Sequence, residues 1–116
     1  MDAVVARKRL EEIRDELDRS ISVLEGSGPR PDLAPEYLQD PADAGANLTE
    51  TQRAAAMLAA VRQQRSAVLS ALHRIEQGTY GVCDDCRAAV PEGRLEARPD
   101  AARCVTCQAK RDRRRR

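Results

Sequence analysis

The sequence predicts an all-α chain: an antiparallel coiled-coil hairpin, then a small four-cysteine module and a short C-terminal helix. Three observations carry this reading. Aromatic residues make up 2% of the 116 residues and charged residues 34%. A sandwich, barrel or doubly wound sheet of this length fills its core with several aromatics of about 150–250 Å² each, so those classes are excluded. Two long segments place apolar residues at alternating steps of three and four, the signature of a helical seam. All four cysteines fall in two C-x-x-C pairs in the final third of the chain.

The first helix is expected from about Asp2 to Leu24. Ala3, Ala6, Leu10, Ile13, Leu17, Ser20 and Leu24 form its seam, interrupted by Ser20 with Ile21 beside it. The other positions are mostly charged, so the apolar stripe is narrow and needs a partner helix. Residues 26–46 hold four prolines and three glycines, which predicts a loop in which Leu33, Tyr37 and Leu38 are available for local packing. The second helix is expected to start near Asn47, with Glu50 completing a capping box, and to run to Gln77. Gly78 supplies the left-handed stop. Its seam is Ala54, Leu58, Val61, Arg65, Val68, Leu72 and Ile75, with Arg65 as the one break. Residues 1–77 are thus read as a helical hairpin with an acidic loop or tip at 26–46. Residues 78–109 form a finger and 110–116 a basic tail.

Net charge is +1, but its distribution is uneven. Residues 26–52 carry −4, residues 53–82 carry +3 and residues 110–116 carry +5. No apolar run approaches the roughly 18 residues of a membrane span. The start of the chain is too acidic and broken for a secretory signal, so a cytoplasmic protein is expected. In that compartment paired cysteines point to a metal before a disulfide framework.

Cys83-x-x-Cys86 and Cys104-x-x-Cys107 are separated by 17 residues, within the spacing of a four-cysteine zinc finger. Each C-x-x-C turn presents two thiolates to one ion, and two turns complete a tetrahedron. Four sulfurs leave no open position, so the expected Zn2+ is single and structural. Two disulfides, four free thiols or a thioredoxin-like redox pair are the alternatives. Ligation also accounts for how a module with one tyrosine folds, with Tyr80, Val82, Val90 and Leu95 packed around the metal.

Other candidates for chemistry are sparse. Asp40 and Asp43 lie near the far end of the hairpin. Spacing alone reads them as solubilising loop residues favouring helix entry, or as a tip that meets a cation or a basic protein surface. His73 reads as an exposed helix residue, and no nucleophile–base–acid set is visible, so the chain is read as not an enzyme. The tail from Lys110 to Arg116 reads as a solvated end or as a contact for phosphates or an acidic protein.

The stretch Gly78-Thr79-Tyr80-Gly81-Val82-Cys83-x-x-Cys86, then Arg94-Leu95-Glu96-Ala97-Arg98-Pro99, then Cys104-x-x-Cys107, resembles the DksA/TraR family of bacterial zinc-finger transcription factors. Asp40-Pro41-Ala42-Asp43-Ala44-Gly45 resembles that family's acidic tip, Asp-x-x-Asp-x-Ala. The resemblance implies a monomeric regulator that binds RNA polymerase, with no sequence-specific DNA binding and no membrane. It implies insertion of the coiled-coil tip into the secondary channel, which alters promoter-complex stability. Asp40, Asp43 and Gly45 become the polymerase-contacting tip, and Arg98 a contact for the alarmone guanosine tetraphosphate or for polymerase. Two departures stand out. Gly45 replaces the family's alanine, adding backbone freedom. Gln108, Gln64 and Ala67 stand where alarmone contacts are expected, which predicts a weak or absent alarmone response. The first helix also leaves little room for an added globular N-terminal portion. The alternative reading is a zinc-stabilised nucleic-acid-binding or protein–protein adaptor that uses the basic tail.

Overall fold

The computed structural model describes the backbone of residues 2–26 and 41–115, with side chains from 49 onward in the second stretch. Among the described residues four helices follow in order: α1 (Ala3–Gly26), α2 (Pro41–Gln77), α3 (Glu92–Ala97) and α4 (Val105–Arg114). Among the described residues there is no strand, only one isolated antiparallel bridge between Val82 and Ala89.

Asp2 opens α1. Its side-chain Oδ1 accepts from Val4 N at 3.2 Å, and its carbonyl accepts from Ala6 N at 2.9 Å, which satisfies donors that the first turn leaves unpaired. The seam works as its spacing predicts. Ala6, Leu10 and Leu17 are buried, and Ile13 packs beside them. From α2 come the buried Val68 and Ala71, with Val61, Leu72 and Ile75 partly buried. Ser20 is exposed, while Ile21 is half-buried.

Arg65, the polar break in the α2 seam, has a partner. It pairs with Asp18 of α1, and one turn earlier Arg62 pairs with Glu25. Arg65 is therefore tolerated because α1 presents a carboxylate opposite it. These two pairs also fix the helices as antiparallel, with α1 ending opposite the middle of α2.

α2 begins earlier than its sequence suggests. The expected start near Asn47 is moved back to Pro41, giving a helix of 37 residues. A proline in the first turn loses no hydrogen bond, because the first N–H groups of a helix have no intrahelical acceptor. The one internal glycine, Gly45, costs only about 1 kcal/mol relative to alanine. The expected loop over 26–46 therefore shrinks at its C-terminal side. Residues 41–57 project past the end of α1, a length of about 25 Å at about 1.5 Å per residue. The fold is correspondingly elongated, 58 × 32 × 20 Å.

The C-terminus of α2 closes as a Schellman turn. Thr79 N donates to Arg74 O at 2.9 Å and Gly78 N to Ile75 O at 3.2 Å, with Gly78 at φ 74°. A side chain there would be strained in the left-handed region.

Leu10 is fully buried at the centre of the hairpin core. Leu10→Ala removes its packing and leaves a cavity between the helices, so urea denaturation is expected to show a loss of about 2–5 kcal/mol. The exposed Val4→Ala should stay within about 0.5 kcal/mol of the wild type.

Candidate metal centre

The finger is held by backbone turns that aim sulfur atoms inward. Cys83 N donates to Ala88 O at 2.8 Å, Arg87 N donates to Cys83 O at 3.0 Å, and Val90 N donates to Gly81 O at 2.8 Å. Arg87 closes this first knuckle at φ 66°, an uncommon conformation for a residue with a side chain. The second knuckle starts α4. Cys104 is its N-cap, and its Sγ accepts from Cys107 N at 3.5 Å. Asp84 N donates to Ala102 O at 2.9 Å and joins the two knuckles.

All four Sγ atoms of Cys83, Cys86, Cys104 and Cys107 lie within 4.8 Å of one another. A tetrahedral zinc with Zn–S bonds of about 2.3 Å requires sulfurs about 3.8 Å apart. Cys86 Sγ and Cys104 Sγ are 3.9 Å apart, and none of the four is disulfide-bonded. The donor set, its spacing and its convergence fit Zn2+ and exclude two bonded pairs. Cys83 is fully buried, while Cys86 is exposed at the rim.

The four thiols are electrostatically unequal. Backbone N–H groups of Cys86 and then Cys104 stabilise the Cys83 thiolate and lower its pKa to about 6. Cys107 is pushed up to about 12, first by its hydrogen bond with Cys104 and then by burial.

A second small core supports the site: Val90, Leu95 and Ala101 around Cys83. Tyr80 packs against both this core and the hairpin core, and its hydroxyl donates to Pro99 O at 2.9 Å. Burial raises its pKa, with Arg74 opposing the shift. Tyr80 is thus a joint between hairpin and finger as well as a finger residue. Arg9 of α1 adds a second tie, donating to Glu96 O at 2.6 Å.

The profile of the prokaryotic DksA/TraR C4-type zinc finger matches residues 78–113. Over these residues the chain is similar to the DksA/TraR C4-type zinc finger. That match and the four converging cysteines assign one structural zinc to this site. The RNA polymerase-binding transcription factor DksA of Caulobacter vibrioides is 39% identical over 70 residues, covering 59% of this chain and 49% of that protein. The protein of the same name from Escherichia coli K12 is 28% identical over 97 residues, covering 84% of this chain and 60% of that protein. The chain thus spans about half to three-fifths of the length of these relatives. Transcription factor DksA2 from Pseudomonas aeruginosa superposes with a TM-score of 0.77 at 23% identity, over 97% of this chain and 84% of that one. That likeness shows a shared fold.

The remaining positions singled out by sequence divide into two groups. Asp40 lies outside the described residues, as do Leu33, Tyr37 and Leu38. Asp43 and Gly45 fall in the first turns of α2, within the segment that projects past α1. Arg98 sits on an open groove of about 800 Å³ between α2, the finger and α4, which also holds Gln64, Ala67 and Gln108. Arg98 is mostly exposed and faces Asp100 at 3.7 Å. Sequence reasoning missed that Arg111 and Arg115 line the same groove. Their signal is helical spacing, since they follow Gln108 by three and seven residues, Arg111 on α4 and Arg115 at its C-cap. His73 is exposed, as expected.

Proposed function

We propose that the chain is a non-enzymatic transcription regulator that binds RNA polymerase and inserts the free end of its hairpin into the secondary channel. The observation that carries this reading is the long projection of α2 beyond α1. It carries Asp43 toward one extremity of an elongated molecule, with the four-cysteine cluster toward the other. The names of the Caulobacter and Escherichia coli relatives support polymerase as the partner. Asp40, Asp43 and Gly45 form the contacting tip, and the zinc finger sets the base against which the hairpin is held. Arg98 serves as a secondary contact. The protein acts as a cytoplasmic monomer. No described helix is long and apolar enough to cross a membrane.

The response to guanosine tetraphosphate is weak or absent in this reading. Gln64, Ala67 and Gln108 are uncharged at the positions where alarmone contacts are expected, and Arg98 is shared with Asp100; the other arginines of the groove, Arg94, Arg103, Arg111 and Arg115, stand at different positions. The test is co-purification of the zinc-loaded chain with core polymerase, together with promoter-dependent transcription in vitro. The reading requires both a complex and a changed transcript yield at some promoters. A chain that neither binds polymerase nor changes any transcript would overturn it.

A further inference from the structure

Among the described residues the strongest uncompensated charge is on α4 and its C-cap, and nothing in the hairpin reading uses it. Lys110, Arg111, Arg113, Arg114 and Arg115 are all exposed, and none of them takes part in an ion pair among the described residues. The one acidic residue in the same stretch, Asp112, is engaged by Gln108 at 3.0 Å. At about 100° per residue these five cations do not form a single stripe. Arg111 and Arg115 occupy one flank, lining the groove, while Lys110, Arg113 and Arg114 occupy the other.

Two features decide what such a surface fits. A protein interface is organised around desolvated apolar or aromatic anchors. α4 offers none beyond Val105, at its opposite, metal-bound end. Base recognition on single strands relies on aromatic stacking, and no aromatic lies in α4. What remains is charge on two flanks of a rigid rod about 10–12 Å wide, the width of a helix with its side chains. A double helix presents two phosphate rows across a major groove about 12 Å wide. The zinc cluster fixes the N-terminus of this rod, because Cys104 is its cap and Cys107 lies in its first turn.

We propose that α4 is a phosphate-backbone contact for duplex nucleic acid, independent of sequence and separate from the hairpin tip. Each cation that neutralises a phosphate releases counterions, so affinity falls with salt by a slope of about 0.9 per contact.

The test is fluorescence anisotropy of the full zinc-loaded chain with labelled duplex DNA of about 20 base pairs, from about 50 to about 200 mM salt. Binding is expected in the range of about 10⁻⁶ to 10⁻⁴ M, equal for two unrelated duplexes, with a log–log slope of about −4 to −5. Joint Lys110→Gln, Arg113→Gln and Arg114→Gln substitution keeps helix-forming side chains. It should lower the magnitude of the slope by about 3, with zinc content unchanged. No binding at the lowest salt, or an unchanged slope in the triple variant, would overturn the proposal. So would binding of polyglutamate in place of the duplex, which would assign α4 to an acidic protein surface. Polymerase binding measured on the same triple variant separates this proposal from the hairpin reading, which predicts little change.

Discussion

Cys83→Ser is expected to abolish zinc binding and to unfold the finger while leaving most of the helical signal in place. Cys83 is the fully buried ligand, and Val90, Leu95 and Ala101 pack around it. The finger has too little apolar surface to fold without the metal. α3 and α4 contribute 6 and 10 helical residues against 24 and 37 for α1 and α2. Far-ultraviolet circular dichroism should therefore lose roughly a fifth of its helical signal, and zinc content should fall from one per chain to near zero. The hairpin should also melt at lower temperature, because Tyr80 and Arg9 lose their finger partners. Acid should act through the same ligands. Protons compete with zinc for thiolates, and the Cys107 proton must be displaced at every accessible pH. In the metal-free finger the lowered Cys83 pKa, about 6, favours the thiolate near neutrality, so that zinc must displace a proton from Cys83 chiefly below that value. Zinc affinity should decline with pH and decline more steeply below about 6. An unchanged dichroism spectrum in metal-free Cys83→Ser would contradict the role assigned to the metal.

Asp43→Ala is expected to remove the effect on transcription while leaving polymerase binding nearly intact. The substitution falls on the part of α2 that projects past α1, far from the hairpin core of Leu10, Leu17, Val68 and Ala71. Folding stability and zinc content should be unchanged. The effect on promoter complexes should fall by about tenfold or more, against a change in polymerase affinity within about threefold, a difference of less than 1 kcal/mol. A variant that loses binding and activity in proportion would show that Asp43 is an affinity contact, not a functional tip. Paired measurement of dissociation constants and transcript yields distinguishes the two results.

The metal centre was the most legible part of the sequence, because its determinants are local. Two C-x-x-C turns each place two sulfurs, and only the meeting of the turns is a tertiary fact. The stop at Gly78 was equally readable, since a Schellman turn is decided within six residues. The start of α2 was not. Pro41 and Gly45 read as breakers, yet a proline in a first turn interrupts nothing and one glycine costs little over so long a helix. Arg65 read as a flaw in the seam because its partner, Asp18, lies 47 residues away. The double role of Tyr80 was hidden for the same reason, since one of its two neighbourhoods is built by α1 and α2. The composition of the groove beside Arg98 required α4 to be placed across from α2, which no spacing rule supplies.

The claim that the hairpin end enters polymerase is tested most directly by crosslinking from that end. A photoactivatable benzoylphenylalanine introduced at position 45 in the zinc-loaded chain, mixed with core polymerase and irradiated, is predicted to crosslink to the walls of the secondary channel near the catalytic centre. The same group placed at position 4, on the exposed face of α1 near the finger, should not reach that region. Failure of position 45 to crosslink within the channel, while the complex itself forms, would contradict the account.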